Sequence, residues 1–327
     1  MIDIKKKEDC VGCNACVQIC PKECISLTSD NQGFSYPNVE LERCINCRLC
    51  EKVCPVINQE KTRQPYRTHA ALNPNDKVLH NSSSGGIFYA LAEKTIMYGG
   101  VVFGARFDSN WNAIHDHTDS LDEIRKFQKS KYLQSKIGKS YKEVQDYLKS
   151  GIRVLFSGTP CQIAGLRSFL RKDYEEQLIL VDIVCHGVPS PLIWQQYLKG
   201  VVEQEGFSTK DIINIDFRDK RMGWETYGMS ILFKNNVCED NFFSPLGSDV
   251  YMHGFLKNLY LRPSCYKCPS KCGKAHSDIT LGDFWGIRNK HSELYSHKGV
   301  SLILANTKKG EELLDTLPIC LHPVSYA

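Results

Sequence analysis

From about residue 70 onward, apolar positions fall into short runs that switch between a strand period and a helix period. Ile87, Phe88, Leu91, Ala92 and Thr95 lie at helical spacing within 85–98. Residues 101–107 then read as a strand, and 154–156 and 178–184 as short buried strands. The spacing predicts a helix over 162–171. Ser140-Tyr-Lys-Glu143 has the form of a capping box, so a helix is expected to open there and end near Gly151. Ser190 before Pro191 places a favoured N-cap next to proline at the first helical position, opening a helix to about Glu205. Strands at 227–233 and 237–243 are expected to pair as a hairpin across Asn235-Asn236, and 300–306 reads as a late buried strand. This alternation argues for an α+β chain whose larger part is an α/β domain with a mixed, partly parallel sheet.

The first 57 residues are organised differently, as an internal repeat in which a Cys-rich loop precedes a short helix. One copy is Cys10-x2-Cys13-x2-Cys16-x3-Cys20-Pro21 and the other is Cys44-x2-Cys47-x2-Cys50-x3-Cys54-Pro55. This run holds the two 4Fe–4S clusters of bacterial ferredoxins. Three thiolates two residues apart wrap one face of an iron–sulfur cube, and the fourth lies too far round the turn to close it. The fourth therefore ligates the other cluster. The expected sets are Cys10, Cys13, Cys16 and Cys54, and Cys44, Cys47, Cys50 and Cys20. Each proline stops a helix from absorbing the fourth cysteine. Zinc calls for CxxC or Cys/His pairs rather than a repeated fourfold run. Disulfides need an oxidising compartment, and residues 1–7 do not resemble a signal peptide. Cys24 is extra to the pattern and reads as a small buried hydrophobe.

Residues 58–68 are polar and without hydrophobic period, so they read as a linker to a second domain over 69–327. A length of 327 residues agrees with two domains. The formal charge of +4 is spread along the chain, which gives no footprint for nucleic acid. No stretch reaches the roughly 18 apolar residues of a membrane span. Sixteen cysteines without an export signal fit metal ligation in a reducing cytoplasm.

A second set of cysteines lies at element ends. Cys161 sits between a strand and a helix, Cys185 follows a strand, and Cys265 and Cys268 form a CxxC. Together they offer four thiolates for a third cluster. Three other readings stay open: Cys161 as a lone low-pKa thiol, Cys265, Cys268, Cys272 and His276 as a zinc site, and Cys185 as a packing residue. Asn81-Ser82-Ser83-Ser84-Gly85-Gly86 runs straight into a helix, where backbone N–H groups and hydroxyls suit a phosphate or a flavin pyrophosphate. The bland alternative is an ordinary helix-capping loop. Ser130-Lys131-Tyr132 and the charged run from Phe217 to Trp224 are further polar patches.

Several of these segments, in this order, resemble the beta-subunit family of coenzyme F420 hydrogenases and dehydrogenases. The carriers are Ser83-Ser84-Gly85-Gly86, Ser130-Lys131-Tyr132, Gly158-Thr159-Pro160-Cys161-Gln162, Cys185-His186-Gly187, Arg262-Pro263-x-Cys265-x2-Cys268 and the run from Asp278 to Gly286. The resemblance spans essentially the whole chain. It implies a flavoprotein that binds FAD and at least one 4Fe–4S cluster in its main domain. It assigns that cluster to Cys161, Cys185, Cys265 and Cys268, and moves Ser82 to Gly86, Ser130 to Tyr132, Thr159 and Pro160 toward flavin contact. Asp283 and Trp285 are placed at the same site, and Lys131 or Arg218 is expected to meet an anionic substrate or reduced flavin. The implied activity is electron exchange between clusters and FAD, with hydride exchange to a small molecule, coenzyme F420 or another metabolite, and a redox partner such as ferredoxin. The other class of function is a relay subunit with no substrate of its own. Two departures stand out. Cys272 competes for a place among the four ligands, and the chain stops at Ala327, so a shortened domain with an incomplete sheet edge is expected.

Overall fold

The computed structural model of the chain describes residues 1–235 and 237–325. An N-terminal module contains α1 (Ala15–Ile19), β1 (Ile25–Ser29), β2 (Ser35–Val39) and α2 (Leu49–Lys52). There follow β3 (Arg67–Leu72), α3 (Asp76–His80), α4 (Ile87–Met97), β4 (Val101–Phe107), β5 (Ala113–Thr118), α5 (Ile124–Phe127) and α6 (Ser140–Lys149). Next come β6 (Val154–Gly158), α7 (Pro160–Leu170), β7 (Leu178–Ile183), α8 (Pro191–Gln204), β8 (Ile212–Asp219), β9 (Gly228–Lys234) and β10 (Glu239–Pro245). The chain closes with α9 (Val250–Leu256), β11 (Ile279–Asp283), α10 (Ile287–Lys290), β12 (Ser301–Ala305), α11 (Lys308–Asp315) and β13 (Cys320–Pro323). β3 begins at Arg67, so the last two residues of the expected linker belong to a strand. β9 and β10 pair antiparallel as expected, while Asn236 of their turn lies outside the described residues.

Among the described residues the main sheet has eight strands in the order β13-β3-β12-β11-β7-β6-β4-β5. Its centre, β11-β7-β6-β4, is parallel, and its flanks are antiparallel. Strand alternation assigns each face its own core. Val101, Phe103, Val154, Phe156, Leu178 and Leu180 pack under α6 and α7. Val102, Leu155, Val181, Ile279 and Ile303 pack under α4 and α11 on the other side. The result is a three-layer arrangement. A smaller antiparallel sheet, β10-β9-β8, packs with α8 and α9 around Trp194, Phe217 and Tyr251. No helix among the described residues is long and apolar enough to cross a membrane.

The start of α6 departs from the expectation. Ser140 is not a cap: it is buried, and its hydroxyl donates to the His115 carbonyl at 3.3 Å. The Tyr141 N–H donates instead to Gln18 Oε1 of α1 in the N-terminal module at 3.0 Å, and the Lys142 N–H is shared between that oxygen at 3.2 Å and the Lys139 carbonyl at 2.9 Å. The helix thus opens one residue earlier, with the Glu143 N–H bonded to the Lys139 carbonyl at 3.1 Å, and a tertiary partner caps its first turn. A capping contact appears where none was expected, as Gln162 Oε1 accepts from the Thr159 N–H at 2.9 Å and fixes the start of α7. The Ser190 cap of α8 forms as read, accepting from the Ile193 N–H at 3.2 Å.

The module is docked rather than tethered. Val11, Cys13, Ala15 and Val53 belong to the same buried core as α6 and α7. The close approach depends on Gly165 of α7, where a Cβ would lie 2.7 Å from Cys13 Cβ and 2.9 Å from the Tyr141 hydroxyl.

Candidate functional site

Within the module the eight motif cysteines separate into two groups. Cys13 has Cys16, Cys10 and Cys54 as neighbours, which is where the cross-over needs the fourth ligand of the first cluster. A second hollow is lined by Cys20, Cys44, Cys47 and Cys50, closed by Ile25, Val39 and Leu49. Cys47 is exposed, so this second hollow reaches the surface. Cys24 is buried in the module core, with its sulfur 3.4 Å from that of Cys20.

In the main domain, Cys185 has Cys161, Cys265 and Cys268 as neighbours. They converge from the N-terminus of α7, the end of β7 and the loop before β11. Gly187 allows this approach, since a Cβ there would meet Leu261 Cδ1 at 2.7 Å and Cys265 Cβ at 3.3 Å. Burial pushes the Cys161 thiol up to about 12, which opposes its reading as a free low-pKa nucleophile. Cys272 is exposed. His276 has both ring nitrogens engaged elsewhere, Nε2 at 2.9 Å from the Lys61 carbonyl and Nδ1 at 3.4 Å from Arg63. That arrangement turns His276 away from a zinc set with the CxxC. Among the described residues no three His, Cys, Asp or Glu side chains converge tightly enough for a single ion. A cube spaces its thiolates more widely.

A cleft of about 420 Å³ opens at the carboxyl ends of the parallel strands, where ligands of open α/β sheets are held. Gly158 and Thr159 after β6, Cys185 and His186 after β7, and Asp283 and Trp285 after β11 line it. Ser82, Ser83, Ser84 and Gly86 line it from the loop before α4, and Ser130, Lys131 and Tyr132 from the loop after α5. These two loops are joined: Ser83 Oγ accepts from the Ser130 N–H at 2.9 Å. Gly85 is part of the loop but not of the wall. It packs on the sheet, where a Cβ would lie 2.3 Å from the Ala71 carbonyl. Pro160 is buried as the first residue of α7 and also lies off the wall.

The wall is organised by Arg218, whose side chain is 1% exposed. It pairs with Asp283 through Nη1 at 2.7 Å and Nη2 at 3.2 Å. Nη1 also donates to the Tyr132 hydroxyl at 3.2 Å, and Nη2 to the Ser83 carbonyl at 3.3 Å. Its Nε is buried with no partner. Asp283 further accepts from Trp224 Nε1 at 2.8 Å, and Trp224 stacks on Trp285 with ring centres 4.9 Å apart. Arg218 thus joins the serine loop, the Tyr132 loop and the Asp283 strand end. The sequence placed it in a dense charged run and, with Lys131, as a candidate contact for an anionic ligand, but not as the joint between three loops. Its one distinguishing signal was the nearby Trp224.

Two titratable groups in the wall are shifted by burial. Lys131 donates to the Gln128, Lys126 and Lys129 carbonyls at 2.6, 3.0 and 3.3 Å, and burial pushes its pKa down to about 7. His115, missed in the sequence, is pushed down to about 4 by burial. It is therefore neutral, with Nε2 donating to the Ser157 carbonyl at 3.0 Å and Nδ1 accepting from Ser135 at 2.9 Å.

Comparisons with known proteins agree with this architecture. Residues 151–318 match the family model for the C-terminal part of the coenzyme F420 hydrogenase/dehydrogenase beta subunit. Residues 9–58 match a 4Fe–4S dicluster domain. No curated protein matches the chain. Among solved structures it is similar to a chain of the F420-reducing NiFe hydrogenase complex from Methanosarcina barkeri. The TM-score is 0.54 at 17% identity, covering 81% of this chain and 84% of that one. At that identity the likeness is one of fold. With half of its length matched by the family model and a dicluster domain ahead of it, the chain belongs to the coenzyme F420 hydrogenase/dehydrogenase beta-subunit family as an iron–sulfur redox protein.

Proposed function

We propose that this chain is an iron–sulfur flavoprotein oxidoreductase with FAD in the cleft and a third 4Fe–4S cluster on Cys161, Cys185, Cys265 and Cys268. Its substrate is a small molecule, coenzyme F420 or another metabolite, and a redox partner protein exchanges electrons at the N-terminal module. The observation that carries the reading is Cys185, which belongs both to the four-thiol group and to the cleft wall. A cluster there would border whatever the cleft holds.

The residues present fit a flavin. The cleft lies at the strand ends, Ser84 and Gly86 open it before α4, and the buried Arg218 Nε is left for a ligand acceptor. A bound flavin supplies the exchange between hydride pairs and single electrons. The chain's own groups do the rest. Arg218 is held as a cation by Asp283 and carries positive charge to the wall. Lys131 Nζ titrates near neutrality and holds or releases a proton beside it. Trp285, half exposed at the rim, offers a flat face backed by Trp224. Neutral His115 fixes Ser135 and Gln162 under the start of α7 rather than moving protons.

The test is the iron, sulfide and flavin content of anaerobically purified protein, before and after Cys185→Ser. About 12 iron atoms and one FAD are expected, with about four iron atoms lost in the variant. About eight iron atoms without flavin, unchanged in the variant, would leave a relay with no substrate of its own.

A further inference from the structure

Arg262 is 1% exposed, like Arg218, yet among the described residues it pairs with no acid. Its Nε donates to the Cys10 carbonyl at 2.7 Å, Nη1 to Gln134 Oε1 at 2.9 Å and Nη2 to the Ser35 carbonyl at 3.0 Å. Nη2 also reaches Cys10 Sγ at 3.4 Å. The guanidinium lies over the rings of Tyr36 and Phe34, at 4.5 and 5.5 Å. None of these partners is a carboxylate. A buried cation without a counter-charge is strongly unfavourable. The one contact that becomes anionic is Cys10, once its thiolate ligates a cluster.

The internal repeat provides a control. Gly12, in the first cysteine loop, has φ of +71°, and a Cβ there would lie 2.5 Å from Gln134 Nε2 and 2.8 Å from Arg262 Nη1. The equivalent position in the second loop is Asn46, also left-handed at φ of 50°. The left-handed turn alone therefore tolerates a side chain. Glycine at position 12 marks the space taken by the guanidinium and the Gln134 amide that it donates to. Among the described residues the second loop has no buried arginine in that place: the cations that line its hollow, Lys22 and Arg48, are exposed. The backbone carbonyl of Arg262 accepts from the Cys265 N–H at 2.8 Å, and the positive charge of the guanidinium also favours the thiolates of Cys265 and Cys161, though without a hydrogen bond from it to either sulfur.

We propose that Arg262 is the built-in counter-cation of the first N-terminal cluster, raising its reduction potential relative to a site without it. One-electron reduction adds one negative charge to the cluster, drawn from a one-electron donor. A fixed guanidinium against a ligand sulfur stabilises that charge without proton uptake. The inference rests on the reading of Cys10 as a cluster ligand.

The experiment is a mediated potentiometric titration, followed by electron paramagnetic resonance, on full-length anaerobic Arg262→Gln, Arg262→Lys and Gly12→Asn proteins. Arg262→Gln is expected to lower the reduction constant of one centre at least tenfold, about 59 mV for a one-electron couple, with a smaller shift at the centre on Cys161 and Cys265, which also feel the Arg262 charge, and the second N-terminal centre unmoved. Arg262→Lys, which keeps the charge, is expected to restore most of the shift. Gly12→Asn, which displaces the guanidinium while leaving it in the chain, is expected to follow Arg262→Gln. A full-iron Arg262→Gln protein with unchanged potentials overturns the proposal. So does a lysine variant that shifts as far as the glutamine one. If Arg262→Gln loses iron, the comparison of the lysine variant and Gly12→Asn with wild type decides in the same way. Cys10→Ser tests the underlying reading separately, with about four iron atoms expected to go. If that variant keeps its full iron, the ligand assignment fails and the proposal falls with it.

Discussion

Lys131 shows how a residue can be legible by position and not by chemistry. The sequence places it in a patch near the expected flavin, but its burial and its three carbonyl partners come only from the fold. Burial lowers its pKa from 10.5 to about 7, with Asp216 opposing and Lys129 adding. The sign follows from proton counting. Between about 7 and about 10 the unfolded chain holds the lysine proton and the folded chain has released it, so stability rises with pH across that window. Lys131→Met is therefore expected to flatten the rise in the urea midpoint between pH 7 and pH 9.5. An unchanged pH slope in the variant would show that the carbonyls keep the ammonium charged. Arg218 was expected at the flavin and Arg262 was noted only within its motif; the burial of both went unread for a related reason, since a charged residue looks solvated until the fold shows what surrounds it. Deep burial separates these two from the other arginines, and only Arg218 is given an acid.

At the scale of elements, period and caps found α4, β4, β6, α7, β7, α8, β9, β10 and β12 to within a few residues. β5 escaped because its inward positions include His115 and Thr118, both buried, so no apolar alternation marks it. β8 and β11 carry acids and polar residues that serve the cleft and the loops around it, and the same masking applies. The start of α6 is more instructive. A local capping box was legible and wrong: the N–H groups it would have used, on Ser140 and Glu143, go to the Ile137 and Lys139 carbonyls, and Gln18 from the other module meets those of Tyr141 and Lys142 instead. This can be tested by a pair of substitutions. Gln18→Ala is expected to cost about 1–2 kcal/mol in the unfolding free energy, the range of a lost helix cap. Glu143→Ala, which removes the residue the local motif would have used, is expected to stay within about 0.5 kcal/mol. Equal effects would restore the local box and demote the contact between modules.

For the molecule as a whole, the cysteine spacing made the module recognisable, but nothing in the polar segment after it showed how the module would sit. The structure holds it by apolar burial at Val11, Ala15 and Val53, by the Gln18 cap, and by Arg262 across to the Cys10 loop. These contacts run between the first cysteine group and α7, whose N-terminus carries Cys161. A fixed module would give the first cluster a constant distance to that end of the helix, whereas a swinging one would make it vary. Hydrogen exchange separates the two cases. With iron in place, amides of α1 are expected to exchange as slowly as those of α6 and α7. Stripping the iron under oxidising conditions with a chelator removes the charge that faces Arg262 and the bonds that shape the Cys10 loop. Exchange should then quicken in α1 and in the first turn of α6, where Tyr141 and Lys142 lose Gln18, while α4 and β4 on the far side of the sheet keep their rates. Fast exchange of α1 in the iron-loaded protein would instead describe a mobile carrier, and docking would then be a step in electron delivery rather than a property of the fold.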